Sequence, residues 1–300
     1  MSATPDTAVR PVAARAPQPR RRGATWRPVR KTLLVTGAVI VSFLWLLPAL
    51  LVVADSLKSP QQLFSPSGLI SFPTHPDFGN YAAAWTTGTL GSYMRNSAMI
   101  TLIKVPIAIT LEAGLAYYLV VRGRTRFANW VFGFVIVGMI FPPQASLVPL
   151  HSLLQTVHLF NTWTGLILIY IGFGLPFGTL LLRSFFRVVP GELAEAARID
   201  GAGALAVFLK IYVPMSWPAI AALAIFDTVW TWNEFLFAQL FITSDSLRPV
   251  QAGLISLNGK YSEDFMLLSA GVVLSIIPVV VVYVIFQRKF VSGLAGALKG

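Results

Sequence analysis

The sequence predicts an all-α, polytopic membrane protein with six transmembrane helices. Hydrophobic residues make up 55% of the 300-residue chain and charged residues only 12%, about half the share that soluble domains carry. The mean hydropathy is +0.70. Six apolar segments each reach the ~20 residues that cross a bilayer. They are Thr32–Val53, Ser97–Val121, Trp130–Leu150, Trp163–Leu182, Pro214–Leu240 and Met266–Gln287.

The N-terminal segment divides into a tail and a first span. Residues 1–31 are rich in Arg, Pro and Ala, a composition that cannot bury a core and predicts a disordered basic tail. We interpret this tail as a topology anchor, with attraction to anionic lipid as the alternative. Thr32–Val53 is too long for a signal-peptide core and lacks a following cleavage pattern, so it predicts a retained span. The membrane domain is therefore expected to cover residues 32–300.

The basic residues predict the orientation of the chain. With six spans, 18 of the 23 Lys and Arg residues fall on one side, four on the other, and Lys104 lies within the second span. The positive-inside rule therefore places both termini in the cytoplasm, and it accounts for the net charge of +11 without a nucleic-acid partner. The external segments are then Asp55–Asn96, with a short helix near Tyr81–Trp85, followed by His151–Thr162 and Thr243–Phe265.

Two spans carry features that a passive membrane helix does not need. Lys104 and Glu112 in the second span are each expected to pair with a different helix, in a structural role. In the third span, Pro142-Pro143 remove helix hydrogen bonds and predict a break or kink. Because broken membrane helices often line a pathway, Phe141 and Gln144 beside the break are candidates for contact with a transported substrate, and a passive kink is the alternative.

The segment between the fourth and fifth spans, Pro190–Val213, holds EAARIDGAG and predicts two short helices around a bend. Pro190 suits a helix start, and Glu192 and Glu195 suit its positive end. Leu193, Ala196 and Ala197 would form a narrow face that allows close approach to another surface. Gly201 and Gly203 are expected to break the helix, and Pro214 to start the fifth span.

The fifth span contains a second group of polar residues. Asp227 and Glu234 are seven residues apart and would share a helix face, with Trp230 between them. Acids beside an indole suit sugars, which donate hydroxyl hydrogen bonds and stack on aromatic rings, so these residues are substrate-pathway candidates. Asn233 lies on a neighbouring face. A role in locking the helix bundle is the alternative.

The spacing of Glu195-Ala196-Ala197, Gly201, Ile211 and Pro214 resembles the EAA motif of ABC importer permeases, with Val213 where the family usually has Leu. Arg183–Ala202, Asn233–Phe241 and Gln287–Gly300 are similar to the maltose-type carbohydrate branch. The resemblance covers about Asn96 to Gly300 and implies an ABC importer type I permease fold. It also implies that residues 190–213 form a coupling loop that binds an ATPase subunit. The coupling residues would be Glu192, Glu195, Ala196, Ala197, Asp200, Gly201, Ile211 and Pro214.

The same resemblance implies the partners and location of the protein. They are a second homologous permease subunit, two ATPase subunits, an extracytoplasmic solute-binding protein and a sugar, in the bacterial cytoplasmic membrane. The sequence contains no GxxxxGK[ST] phosphate loop, so ATP and Mg²⁺ are expected on the partner ATPases and no cofactor on this chain. No nucleophile–base pair suggests an enzyme. The chain has no cysteine, and its three histidines are too scattered for a metal cluster.

Three other functions compete with a sugar importer. The first is an ABC permease for a sugar phosphate such as glycerol phosphate. The second is a secondary carrier that works without ATP, for which inverted repeats and intramembrane charge relays would be expected. No convincing repeat is found in the sequence. The third is a membrane scaffold without transport activity. The EAA spacing favours an ABC permease over the last two.

Overall fold

A computed structural model describes residues 26–66, 68, 71–123, 125–260 and 265–297. Secondary structure in this part of the chain is helical, with bounds α1 Trp26–Asp55, α2 Pro60–Leu63, α3 Gly79–Trp85, α4 Leu90–Val121, α5 Arg126–Ile140, α6 Leu147–Thr156, α7 Trp163–Phe186, α8 Gly191–Ile199, α9 Ala204–Val207, α10 Val213–Met215, α11 Trp217–Asn233, α12 Leu236–Phe241, α13 Val250–Lys260 and α14 Phe265–Ala297. Short 3₁₀ turns cover Pro143–Ser146 and Asp245–Leu247, and a π-helical turn covers Phe208–Tyr212. The described residues divide into two units between Leu50 and Leu51, and the sites below lie in the second.

Four of the described helices are long and apolar enough to cross a membrane: α1 from Lys31, α4, α7 and α14 to Phe286. Two bent pairs, α5 with α6 and the segment from α9 to α10 with α11, raise the number to six if each pair is one span. The predicted all-α, multi-pass architecture is therefore confirmed. α1 begins earlier than expected, at Trp26, and most of the predicted tail lies outside the described residues.

The centre of the larger unit is formed by α4, α7 and α11, which pack against one another. α4 presents small buried side chains such as Ala108, Ala113 and Ala116, and this allows α7 to approach it closely. Leu182 and Phe186 of α7 are fully buried in the same interface. The three helices thereby bring together polar groups that are far apart in the sequence.

The third span is broken where Pro142-Pro143 predicted a break. α5 ends at Ile140, Phe141 and Pro142 are extended, and α6 leaves at 97° to α5. Pro142 and Pro143 both lack the N–H that a continuing helix would need. The predicted loop His151–Thr162 is too long, because α6 continues to Thr156.

The prediction of one continuous fifth span, Pro214–Leu240, is wrong. The chain bends by 79° at Ser216 and then starts α11, with Pro218 in its first turn, where the missing N–H of proline has no helical partner to lose. A second break follows at Glu234, whose ψ of 127° is extended. The segments predicted to be external also contain more helix than expected. α3 confirms the predicted short helix near Tyr81–Trp85, α4 already begins at Leu90, and α13 lies within Thr243–Phe265.

Candidate functional site

The segment between α7 and α11 folds into two helices joined by a tight bend, as the sequence predicted. α8 ends at Ile199, Asp200 is its C-cap residue, and Gly201 follows with a φ of +84°. The Gly201 N–H donates to the Arg198 carbonyl at 3.1 Å, and the Ala202 N–H donates to the Ala197 carbonyl at 2.8 Å. This pair of bonds is a Schellman motif, which needs a left-handed residue at Gly201 and satisfies the last carbonyls of α8.

One face of this segment is anchored to the membrane helices. Ala194 and Tyr212 are buried, and the Tyr212 ring lies 5.6 Å from the ring of Phe186 in α7, edge to face. The Tyr117 hydroxyl of α4 donates to the Ala204 carbonyl at 3.0 Å. The segment is therefore packed against both α4 and α7.

The opposite face of α8 and the bend are exposed. We call this the outer face and define it as Glu192, Glu195, Ala196, Ile199, Asp200 and Leu205. Ile199 is 87% exposed and Leu205 is 69% exposed. Of the other residues predicted for coupling, Ala197 and Ile211 are half-buried, Gly201 forms the bend and Pro214 lies exposed in α10. The outer face therefore carries two exposed apolar side chains and three carboxylates.

A cavity of about 270 Å³ lies between α4, α5, α7 and α11. Its wall is largely aromatic, with Phe141, Phe173, Phe177, Phe226 and Trp230. The break after α5 places Phe141 at the wall. Of the substrate-pathway candidates, Phe141, Asp227 and Trp230 come together at this cavity.

A buried ion pair connects α4 to α11 beside the cavity. The Lys104 ammonium donates to Asp227 Oδ1, and the Lys104 side chain is fully buried. The same Nζ lies 5.2 Å from the centroid of the Trp230 ring, within the range of a cation–π contact. The prediction that Lys104 pairs with another helix is thereby confirmed. Such a pair is strongly destabilised when one partner is removed.

Two carboxyl oxygens at this position have no hydrogen-bond partner within the described part of the chain. They are Oε2 of Glu112, a residue only 1% exposed, and Oδ2 of Asp227. The expectation that Glu112 pairs with another helix is therefore not met in this part of the chain. A buried acceptor that is left unsatisfied costs about 1–3 kcal/mol, and more when it is charged.

Two glycines of α7 make room for the charged groups. A Cβ on Gly174 would lie 3.5 Å from Lys104 Nζ, 3.7 Å from Glu112 Oε1 and 3.8 Å from Asp227 Oδ1. The three groups therefore converge on one point of α7. A Cβ on Gly178 would overlap the carboxyl group of Glu112. The sequence predicted only a structural role for Lys104 and Glu112, although a charge within an apolar span is a signal of a functional residue.

Glu234 does not share a helix face with Asp227, and that prediction is wrong. α11 ends at Asn233, and the Glu234 carboxylate instead accepts the backbone N–H of Phe237 at 2.9 Å and of Ala238 at 3.2 Å, at the start of α12. The Tyr170 hydroxyl also donates to Glu234, at 2.5 Å. Because the Glu234 carboxylate accepts bonds from N–H groups at the start of α12, a new helix begins here and α11 does not continue.

Asn233 and Gln144 also lie away from the wall of this cavity. Both are exposed. Asn233 donates to the Val229 carbonyl at 2.8 Å, and its side-chain oxygen accepts from Gln251 at 3.3 Å. A role for these two residues and for Glu234 in the substrate pathway stays a prediction.

The comparison with known proteins identifies the family. Residues 104–295 match the model of the binding-protein-dependent transport system inner membrane component. The chain belongs to this family. It is therefore a transport subunit with several membrane spans, and the resemblance to ABC importer permeases is confirmed. The matched region contains α5 to α13 completely, with both the outer face and the cavity.

Individual relatives of this permease agree with the family match. The probable ABC transporter permease protein YurM of Bacillus subtilis is 35% identical over 274 residues, which are 88% of this chain and 89% of the relative. The diacetylchitobiose uptake system permease protein NgcG of Streptomyces coelicolor is 34% identical over 269 residues, 89% of this chain and 87% of the relative. Among solved structures, a chain of a bacterial ABC transporter involved in the import of the acidic polysaccharide alginate matches with a TM-score of 0.72 and 22% identity. The match covers 92% of this permease and 100% of that chain, and it confirms the fold.

Proposed function

We propose that this permease is the membrane-spanning subunit of an ATP-driven importer for a neutral sugar, which an extracytoplasmic binding protein delivers. The observation that carries the proposal is that the outer face, which contains the EAA spacing, is exposed and therefore accessible to a partner. A permease without a phosphate loop needs a partner that binds ATP and Mg²⁺. We place two ATPase subunits at the outer faces of this chain and of a second homologous permease subunit, in the bacterial cytoplasmic membrane with both termini in the cytoplasm.

The side chains of the outer face indicate which groups we expect in the ATPase cleft. Ile199 and Leu205 would insert into an apolar depression, and Glu195 would meet a basic or polar group on its rim. The gain in free energy from burying one aliphatic side chain is about 1.5–3 kcal/mol. The exposed position of Ala196 lets the backbone of α8 come close to the partner surface. Gly201 supplies the bend that presents both helices together.

The mechanism follows from the way this segment is anchored. When ATP closes the ATPase subunits, α8 and α9 move with them, and the contacts of Tyr212 and Ala204 pull α7 and α4. The breaks at Phe141 and Ser216 divide two spans into shorter segments that can tilt separately. The cavity would then turn from the cytoplasmic side to the outside, accept the sugar, and turn back after hydrolysis.

The substrate class rests on two observations. The relative NgcG carries diacetylchitobiose in its name, and the wall of the cavity combines aromatic rings with carboxyl groups. A sugar phosphate such as glycerol phosphate is the second candidate. It is disfavoured because the residues that line the cavity in the described part of the chain include two acids and no base, and the nearby Lys104 is already bound to Asp227.

Two experiments test this proposal. The first extracts the chain from its native membrane in mild detergent and identifies the co-purifying proteins by mass spectrometry. Recovery of an ATPase and a second permease is expected. If the chain were isolated alone, under conditions in which another ABC importer of the same membrane stays intact, a secondary carrier would replace the proposal.

The second experiment reconstitutes the complex and its binding protein in liposomes. It measures ATP-dependent uptake of chitobiose, diacetylchitobiose, maltose and melibiose, with glycerol 3-phosphate as the competing substrate. Uptake of at least one sugar is expected. Uptake of glycerol 3-phosphate alone would favour the second candidate.

A further inference from the structure

The two unpartnered carboxyl oxygens beside the cavity support an inference that rests on the proposed function and extends it to the substrate-binding site. We propose that Glu112 and Asp227 bind the hydroxyl groups of a single neutral sugar ring in this cavity, with Trp230 against the apolar face of the ring. Glu112 becomes a substrate-binding residue instead of the structural residue that the sequence indicated. Lys104 becomes a positioning residue.

The first step is the hydrogen-bonding capacity of the site. Buried polar atoms in proteins nearly always have a partner, so an unsatisfied one indicates water or a ligand. Glu112 Oε2 and Asp227 Oδ2 are two such atoms within the described residues, and both side chains line the same cavity. Sugar hydroxyls both donate and accept hydrogen bonds, so they can bond to a carboxyl oxygen in either of its protonation states.

The second step is the rigidity of the site. Lys104 holds Asp227 by one carboxylate oxygen, which leaves the other oxygen without a partner. The lack of a side chain at Gly174 and Gly178 lets the charged groups approach α7. Asp227 is held by Lys104 of a neighbouring helix, and the Glu112 carboxyl group packs against Gly178 of α7. The site is therefore pre-organised and loses little conformational entropy when a ligand binds.

The third step is the size and lining of the cavity. A volume of about 270 Å³ is at the lower end for ligand pockets, which usually measure ~300–1,000 Å³. It suits one ring rather than an oligosaccharide. Trp230 is half-buried and contributes to an aromatic wall that includes Phe226 and Phe177. A sugar ring can stack its C–H face on such a wall while its hydroxyls reach the carboxyl groups.

A purely structural role explains only part of this arrangement. The Lys104–Asp227 pair joins α4 to α11 and would serve stability without any ligand. Glu112 Oε2 contributes no such bond in the described residues, yet it is buried. A buried carboxyl oxygen without a hydrogen-bond partner from the described residues is expected where a ligand uses it.

The test compares sugars that lack one hydroxyl group each. The complete complex is reconstituted with its binding protein, and kcat/KM for uptake is measured for the best-transported disaccharide of the panel above and for its monodeoxy analogues. The ratio of parent to analogue is determined in the wild type and in the variant Glu112→Gln. The binding protein is the same in both, so its own preference cancels when the two ratios are divided. Thr110→Ala, an exposed position on the same helix, is the matched control.

For at least one analogue, we expect the preference for the parent sugar to fall about tenfold in Glu112→Gln and to be unchanged in Thr110→Ala. A uniform decrease in uptake of all sugars would assign Glu112 a structural role and overturn the proposal. If Glu112→Gln does not assemble, the same ratios are measured in Trp230→Phe, where equal losses for the parent and every analogue, together with an unchanged apparent affinity, would overturn it. Absence of sugar uptake by the wild type would instead contradict the proposed function.

Discussion

The outer face of α8 is made from residues within one short stretch of the chain, whereas the cavity joins Lys104 to Asp227, which are 123 residues apart. The outer face is exposed and depends on one backbone angle at Gly201. The cavity is bordered by the buried side chains of Glu112 and Asp227 and depends on the packing of α4, α7 and α11 around Gly174. A site of the first kind is defined by local geometry, and a site of the second kind by packing.

This difference determines how mutations should act. A change in the cavity alters buried charge or volume and should reduce the stability of the whole chain. A change on the outer face leaves the core intact and should affect mainly the contact with a partner.

The largest effect is expected for Lys104→Met. The substitution leaves the Asp227 carboxylate buried without its cation, which costs about 3–5 kcal/mol. Combining it with Asp227→Leu removes both charges and should recover most of that loss, since a buried pair can be replaced by apolar residues. Stability is measured by denaturant unfolding of the purified chain in detergent.

The recovered double variant also separates folding from binding. It should fold and assemble but lack the Asp227 oxygen that the sugar site uses. Restored stability together with normal sugar uptake would count against a substrate role for Asp227. If Lys104→Met alone were as stable as the wild type, the Lys104–Asp227 pair would not be a buried ion pair.

A smaller loss, about 1–3 kcal/mol, is expected for Gly178→Ala, because the new Cβ would overlap the Glu112 carboxyl group. Gly172→Ala in the same helix is the matched control, since nothing lies within 4 Å of its Cβ position. The thermal midpoint in detergent distinguishes the two. Adding Glu112→Ala should relieve the overlap in Gly178→Ala, and a lack of any relief would contradict the described contact.

The sequence predicted local features better than assembled ones. The bend at Gly201 and the break at Pro142 follow from glycine and proline, whose backbone restrictions act within a few residues. The continuous fifth span was wrong because the chain bends at Ser216 and because the Glu234 carboxylate caps α12. A capping acid is not distinguishable from a lining acid by spacing alone.

The position of Glu112 is an example of a feature that could not be predicted from the sequence. Its position opposite Gly178 depends on the register between α4 and α7, and a single sequence carries no direct signal of that register. The same applies to the pairing of Lys104 with Asp227, since Glu234 was an equally plausible partner by charge. The spacing of the EAA motif in the sequence was enough to indicate the family. The residues that line the cavity could be identified only from the packed helices.

A more local effect is expected for Gly201→Val. A non-glycine residue at a left-handed φ costs about 1–2 kcal/mol, and a β-branched residue is especially unfavourable there. Gly203→Val is the matched control, because Gly203 has a φ of −70° and open space around its Cβ position. We expect Gly201→Val to reduce the stimulation of ATPase activity by the loaded binding protein at least tenfold, with Gly203→Val much nearer the wild type. Equal losses in both variants would show that the bend itself is not required.

The smallest effect on stability is expected for Ile199→Ser, which should change the free energy of unfolding by no more than about 0.5 kcal/mol, because the side chain is 87% exposed. Its effect on assembly should be much larger, since an isoleucine that becomes buried at an interface contributes about 1.5–3 kcal/mol, equivalent to a loss of tenfold or more in affinity for the ATPase. Phe72→Ser is the matched control: Phe72 is also apolar and 71% exposed, and the predicted topology places it on the external side. Titration of the purified permease pair with ATPase subunits measures both affinities.

If Phe72→Ser weakened binding as strongly as Ile199→Ser, the orientation of the chain and the assignment of the outer face would both be wrong. Weaker binding in Ile199→Ser alone, at unchanged stability, would show that this face contributes to the partner and not to the fold.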